Sequence, residues 1–175
     1  MKKLMSLLFI VLSFSLFISC SEKEEQKDPQ KASVDIALEK LEISQRLDNL
    51  AAASESGNFG MIEDIWLPSE DALLIGTEGT EKLEGWEDIS AAIKKQIGTF
   101  EKTFISITEQ LIWLNDDASI AWFFEELNYN FIYEEKAMTF EGIRFTGVMK
   151  KIDGKWRLVQ QHMSIPAMLE MVESY

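Results

Sequence analysis

This 175-residue chain has one cysteine, one histidine and three prolines, and its basic residues never run beyond the pairs Lys2-Lys3, Lys94-Lys95 and Lys150-Lys151. Each scarcity excludes a class of chemistry. One cysteine makes no intrachain disulfide, and one histidine beside it gives no zinc-type ligand spacing. The carboxylates follow no EF-hand pattern either, so no metal is expected. Phosphate loops and dinucleotide-binding glycine motifs are absent from the sequence, so no cofactor is expected. Without clustered Lys and Arg there is no footprint for nucleic acid. With 30 acidic against 17 basic residues, the formal net charge is −13.

What is present begins at the N-terminus. Lys2 and Lys3 precede an apolar run from Leu4 to Ile18, interrupted only by Ser6, Ser13 and Ser15. A positive start and an apolar stretch of this length match a signal peptide rather than a membrane span. The junction Phe17-Ile18-Ser19-Cys20 resembles the bacterial lipoprotein lipobox, with Phe17 where that family usually has Leu. The resemblance implies a signal peptide over 1–19, a diacylglycerol on the Cys20 sulfur, and a lipid anchor in the cell envelope. Ser21 followed by acidic residues resembles the export signals of Bacteroidetes-type lipoproteins, which implies the outer membrane, facing the periplasm or the surface. Acyl chains suffice for this, at about 0.8 kcal/mol per buried methylene. Loss of 1–19 removes two lysines, leaving 15 basic and 30 acidic residues and a charge of −15. Such a surface repels anionic headgroups, so the lipid must carry the membrane partnership.

Residues 20–33 continue as Cys20 and a charged tether, with Pro29 and no aliphatic side chain larger than Ala after Cys20. The domain, 34–175, opens with Val34, Leu38, Leu41, Ile43, Leu47 and Leu50 at helical spacing up to Gly57. Asn58 caps a short second helix carrying Phe59, Ile62, Ile65 and Trp66, and Pro68 stops it. Leu73 to Ile75 reads as a short strand. A Gly- and Thr-rich loop, 76–85, leads to a third helix with Ile89, Ile93, Ile97 and Phe100. The period then changes to alternation. Four strands are expected: one in which Ile105, Ile107, Leu111 and Trp113 alternate, then Ile120–Tyr133, Thr139–Ile152 and Lys155–Ile165. Turns at Asn115-Asp116-Asp117, Glu134-Glu135-Lys136 and Asp153-Gly154 separate them. Helices followed by an antiparallel sheet predict an α+β fold with the helices on one sheet face.

These features resemble the SnoaL-like branch of the nuclear transport factor 2-like superfamily over roughly Val34 to Ala167. The resemblance is carried by the segment Asp153-Gly154-Lys155-Trp156-Arg157-Leu158, by Gln161-His162-Met163-Ser164-Ile165-Pro166, by Gly85-Trp86 with Ile89, and by Arg144-Phe145-Thr146. It implies a cone in which about three helices pack inside a curved sheet around a cavity, with frequent dimerisation. It does not imply one activity, because that fold hosts enzymes, binders and assembly domains.

The two-residue turn at Asp153-Gly154 sets Ile152 opposite Lys155 and therefore fixes the pairing of both strands. By parity Trp156, Leu158, Gln160, His162 and Ser164 share a face with Met149, Gly147, Phe145 and Ile143, and the large apolar members predict that this face lies under the helices. A bulge would swap the faces beyond it. On this reading Gln160 and His162 are polar groups on an apolar wall. His162 is the candidate general base, or a hydrogen-bonding group for a ligand, with a satisfied core histidine as the structural alternative. No catalytic set is nominated. The expected pocket residues are His162, Gln160, Phe145, Trp156, Trp122, Trp86 and Tyr129, and the aromatic set that could line a cavity also holds Trp66. Glu125 and Glu126 fall on opposite faces, and an inward one would be suggestive. Three functions are compatible: a non-catalytic binder of a small apolar or amphipathic ligand, a homodimeric interaction module using the face with Val148, Val159, Met163 and Ile165, or an isomerase, dehydratase or hydrolase using His162. The first is preferred for the aromatic content and the isolated polar pair Gln160 and His162, and the enzyme is ranked last because no acid–base pair is legible.

Overall fold

Asp35 ends the extended entry to the domain by accepting hydrogen bonds from the Ala37 and Leu38 amides, which nucleates helix α1, Ile36–Ser56. The computed structural model describes residues 34–167, so Cys20, its signal and its tether lie outside the described residues. Helix α1 closes at Gly57, whose left-handed backbone (φ 65°) suits a residue without a Cβ. The Asn58 side chain caps α2, Phe59–Ile65, by accepting from the Met61 amide at 3.2 Å. Helix α2 stops at Trp66, two residues before Pro68. Helix α3, Trp86–Thr99, carries Glu87 and Asp88 in its first turn, where the helix dipole favours negative charge.

The strands are β1 (Leu73–Ile75), β2 (Lys82–Glu84), β3 (Glu101–Leu114), β4 (Ile120–Tyr133), β5 (Lys136–Ile152) and β6 (Lys155–Ser164). They form one mixed, open sheet in the order β2-β1-β6-β5-β4-β3. The expected meander is present as β3 to β6, and two short strands extend it. β1 adds to β6 in parallel, and β2, inside the supposed loop 76–85, pairs with β1. Lys82-Leu83-Glu84 escapes sequence reading because three residues with one apolar side chain show no period. The turn Asp153-Gly154 sets Ile152 opposite Lys155 as expected, with both turn residues at positive φ.

The long strands are not regular. Thr108 is an extra residue in β3 between the pairs Ile107↔Leu127 and Glu109↔Glu126. β5 carries one extra residue near Gly142, whose amide donates to the Asn128 side chain at 3.0 Å. Val159 is an extra residue in β6 between Met149↔Leu158 and Val148↔Gln160. Bulges bend and twist a ladder, and each one exchanges the two faces of its strand beyond it. The expected single alternation of Ile105, Ile107, Leu111 and Trp113 is thereby corrected. Ile105 packs against the core, whereas Leu111 and Trp113 stand exposed on the far side of the Thr108 bulge.

The core lies between the helices and one sheet face: Ile43, Leu47 and Leu50 of α1, Ile62 and Ile65 of α2, and Ile89 and Ile93 of α3 meet Phe123, Leu127, Phe145, Met149, Trp156 and Leu158. Two polar clamps tie α1 to the sheet. Glu39 accepts from Lys151 at 2.6 Å and from the Trp156 indole at 2.8 Å. Arg46 bonds the Asp64 carboxylate at 2.7 Å and the Trp156 carbonyl at 3.1 Å. These clamps are part-buried and set the orientation of α1 on the sheet, while apolar burial stabilises the fold.

Gly147, buried in β5, leaves room for the Phe123 ring. A Cβ there would sit 2.6 Å from that ring and 2.5 Å from the Gln160 carbonyl oxygen. Gly147→Ala is therefore expected to destabilise the domain by about 1–3 kcal/mol. Urea denaturation measures it, and an unchanged midpoint would show that the strands yield freely at this point.

Candidate functional site

Between the helices and the inner sheet face lies a cavity of about 80 Å³. Leu47, Leu50, Ile62, Ile93, Leu127, Phe145 and Met163 give it apolar walls, and the lining also includes Ser54, Trp66, Gln96, Glu125, Tyr129 and Gln161. Drug-sized pockets run to about 300–1,000 Å³, so this space suits a molecule of few heavy atoms or one part of a larger one.

Glu125 is the most unusual of these groups. Strict alternation in β4 turns Ala121, Phe123, Glu125, Leu127, Tyr129 and Phe131 inward and leaves Glu126 outward. The Glu125 side chain is 1% exposed, the one charged-type residue among the buried residues described. It accepts a hydrogen bond from Gln110 Nε2 at 2.7 Å, and Gln110 Oε1 in turn accepts from the Ser44 hydroxyl at 2.6 Å. This chain runs from α1 through β3 to β4. Burial raises the Glu125 pKa from 4.5 to about 7, against the lowering effect of the Gln110 bond and with a smaller upward push from Asp48. Near neutral pH the group is therefore divided between acid and carboxylate. Tyr129 accepts from Gln96 Nε2 at 3.3 Å, and burial raises its pKa as well.

Trp66 is fully buried and lines the same space, yet its indole Nε1 has no hydrogen-bond partner. Its ring lies 5.9 Å from that of Trp86, which is partly buried against the core. The residue is held by its backbone, through the bridge Trp66↔Leu158 and the hydrogen bond from the Leu67 amide to the Leu158 carbonyl at 2.9 Å.

The expected pocket set is only partly assembled. Phe145 and Tyr129 line the cavity. Trp156 is buried in the core with its indole directed to Glu39, and Trp86 backs Trp66 rather than the space itself. Trp122 lies outward and exposed, opposite Trp113. Gln160 and His162 are also corrected. The Val159 bulge places them opposite Val148 and Thr146 on the outer face, while Gln161 and Met163 take the inward positions opposite Gly147 and Phe145. His162 therefore does not share a sheet face with Glu125. The same bulge removes Met163 from the expected outer interface, leaving Val148 there and Ile165 exposed beyond the strand. Glu125 was legible as one of two candidates from alternation alone. Gln110, Gln96 and Gln161 carried no signal, because polar residues in strands normally face solvent.

The SnoaL-like domain family model matches residues 43–168. Among solved structures, a nuclear transport factor 2-like superfamily protein from Salmonella enterica serovar Typhimurium is similar at a TM-score of 0.70 and 19% identity, over 79% of this chain and 99% of that one. A candidate dehydratase of the same superfamily from Streptomyces avermitilis gives 0.68 and 14%, over 75% and 99%. A candidate calcium/calmodulin-dependent protein kinase II association domain from Xanthomonas campestris gives 0.62 and 24%, over 73% and 88%. At such identities the likeness is one of fold. No curated protein matches this chain. With most of its length covered by the family model, the chain belongs to the SnoaL-like domain family, and its helices seated on a curved, open sheet give it a nuclear transport factor 2-like fold.

Proposed function

We propose that this protein is an envelope-anchored lipoprotein, held by lipid on Cys20, whose SnoaL-like domain binds a small, largely apolar molecule in the cavity without transforming it. A domain of this family fits either ligand binding or an isomerase- or dehydratase-like role. One observation carries the binding reading: a largely apolar space between the helices and the sheet whose lining includes the buried polar side chains of Glu125 and Tyr129. Among the described residues Glu125 and Tyr129 are the ionisable ones that line the cavity, so a second proton-transfer group beside Glu125 would have to be Tyr129. Tyr129, with its pKa raised, is a poor base at neutral pH.

The buried acid makes stability depend on pH in a defined sense. Its folded pKa of about 7 lies above its ordinary 4.5, so the folded state holds the proton more tightly between these values. The stabilisation is complete below about 4.5 and is lost as pH rises to about 7, on the order of 3 kcal/mol in all. Glu125→Gln should abolish this slope and be more stable than the parent at pH 8. Denaturant titrations across that range check it, and a difference between the two proteins that stays constant with pH would refute the assignment.

For binding, ligand-observed NMR with small uncharged fragments should give hits whose signals are lost in Leu127→Phe, which fills part of the cavity wall. Hits that survive the filling would place binding elsewhere. A complete lack of hits would turn the reading toward the outer sheet face as an interaction surface, where Trp113 and Trp122 are 41% and 45% exposed. For the anchor, Cys20→Ala should move the protein from the detergent-requiring membrane fraction to the soluble envelope fraction of the cell. Retention of the variant in the membrane fraction would count against lipid on Cys20.

A further inference from the structure

Among the described residues thirteen large apolar side chains are exposed, and nine of them gather at one end of the domain. Four lie between Val34 and Leu41, and the others are Leu111 and Trp113 of β3, Ile120 and Trp122 of β4, and Ile152 of β5. Strand register holds them together. Trp113 pairs with Trp122, Ile120 pairs with Lys150, and the next residue, Lys151, reaches Glu39 of α1 at 2.6 Å. Lys40 and Leu41 of α1 line one open groove with Leu111 and Trp113 along β3, the last strand of the sheet. Exposed apolar side chains scattered singly need no partner, whereas a contiguous group marks a binding surface. Its place in the chain points to the occupant. α1 begins at Ile36, so this is the end at which the domain joins residues 21–33 and, beyond them, Cys20. From Cys20 to Val34 the backbone spans no more than about 50 Å, even at full extension. A bilayer that holds lipid on Cys20 is thus always within reach of this end. Linkers this short raise the local concentration to the order of millimolar, so a surface too weak to bind membrane alone suffices. The residue types agree. Tryptophan and leucine favour the boundary between headgroups and acyl chains, and both exposed tryptophans among the described residues are here. Lys40 and Lys150 stand exposed beside them, long enough to reach headgroup phosphates, while Asp116, Asp117 and Asp153 in the adjoining turns repel an anionic surface. That balance suits a zwitterionic one.

We propose that this end of the domain seats on the zwitterionic membrane surface to which Cys20 holds it, with Leu38, Leu41, Leu111, Trp113 and Trp122 entering the boundary between headgroups and acyl chains. This goes beyond the cavity and rests on the anchor proposed above. Attachment then has two parts, lipid and an apolar protein surface, and the domain takes one orientation on the bilayer. The turn at Glu134-Glu135, at the opposite end of β4, points away from it.

The test supplies the anchor chemically, so its result does not depend on whether cells lipidate Cys20, which the fractionation of Cys20→Ala decides. The chain from Cys20 onward is coupled through that thiol, its single cysteine, to a maleimide-bearing lipid in phosphatidylcholine vesicles, with and without bromine on the acyl chains. Bromine quenches tryptophan only near contact. Coupling should move the tryptophan emission to shorter wavelength in ordinary vesicles, and brominated chains should quench it. Trp113→Phe combined with Trp122→Phe should lose most of the quenching. Leu38→Ser combined with Leu41→Ser, which keeps both tryptophans, should weaken it severalfold. Equal emission of the coupled protein in brominated and ordinary vesicles overturns the inference and leaves the anchor standing. Quenching that survives the double tryptophan replacement puts another surface on the bilayer and overturns it as well. Light scattering covers the rival occupant: a dimer of the uncoupled protein that the Leu38 and Leu41 replacements dissociate, with no quenching in vesicles, assigns this face to a second copy instead. The vesicle comparison is read on the unaltered protein, so a poorly folded variant does not leave the inference untested.

Discussion

The two-residue period of a β-strand is the constraint on which the rest of this structure depends. A sheet that must curve over three helices cannot keep one unbroken period, and the chain yields at Thr108, near Gly142 and at Val159. Each extra residue relieves the ladder and exchanges the faces beyond it. The Val159 bulge turns Gln161 and Met163 to the cavity and sends Gln160 and His162 outward. The Thr108 bulge leaves Leu111 and Trp113 exposed although Ile105, in the same odd-numbered series, packs on the core. The composition of the cavity wall is thus a consequence of where the sheet bends.

Between bulges, the period places a carboxyl group in the interior. β4 is regular from Ala121 to Phe131, so Glu125 has no alternative to the core once Phe123 and Leu127 are buried. The structure answers with a partner chain rather than a counter-charge. Gln110 donates to the carboxyl and Ser44 donates to Gln110, joining α1 to the two outermost long strands. A carboxylate without a cation nearby is costly in an apolar surrounding, which is why the group favours its proton. The same low-polarity surrounding makes the unpaired Trp66 donor consequential: in such a setting one hydrogen bond, made or missing, weighs more than it would in water.

Much of the architecture was legible in the residues. Gly57 and Asn58 mark helix ends by capping chemistry that acts within four residues, and each acts as read. The Asp153-Gly154 turn fixed its register for the same local reason. Family resemblance added the helix-on-curved-sheet arrangement. The short β2 strand was not legible, because its place depends on β1 being held against β6 by residues more than 80 positions away. The candidate site was legible only in part. Tyr129, Phe145 and the alternation of Glu125 with Glu126 could be read, whereas the glutamines that shape the site could not.

The sequence by itself determined the order of elements, their caps and turns, and the parity of every uninterrupted strand segment, because those follow from interactions among neighbours in the chain. It also determined that His162 is the single imidazole and that acidic residues outnumber basic ones. Only the tertiary structure decided which face each segment presents to the helices. A bulge forms where a bent sheet must fit the helices beneath it, and that fit is set by contacts among α1, α2, α3 and strands distant in sequence. The choice of Gln161 over His162 at the cavity is of that kind.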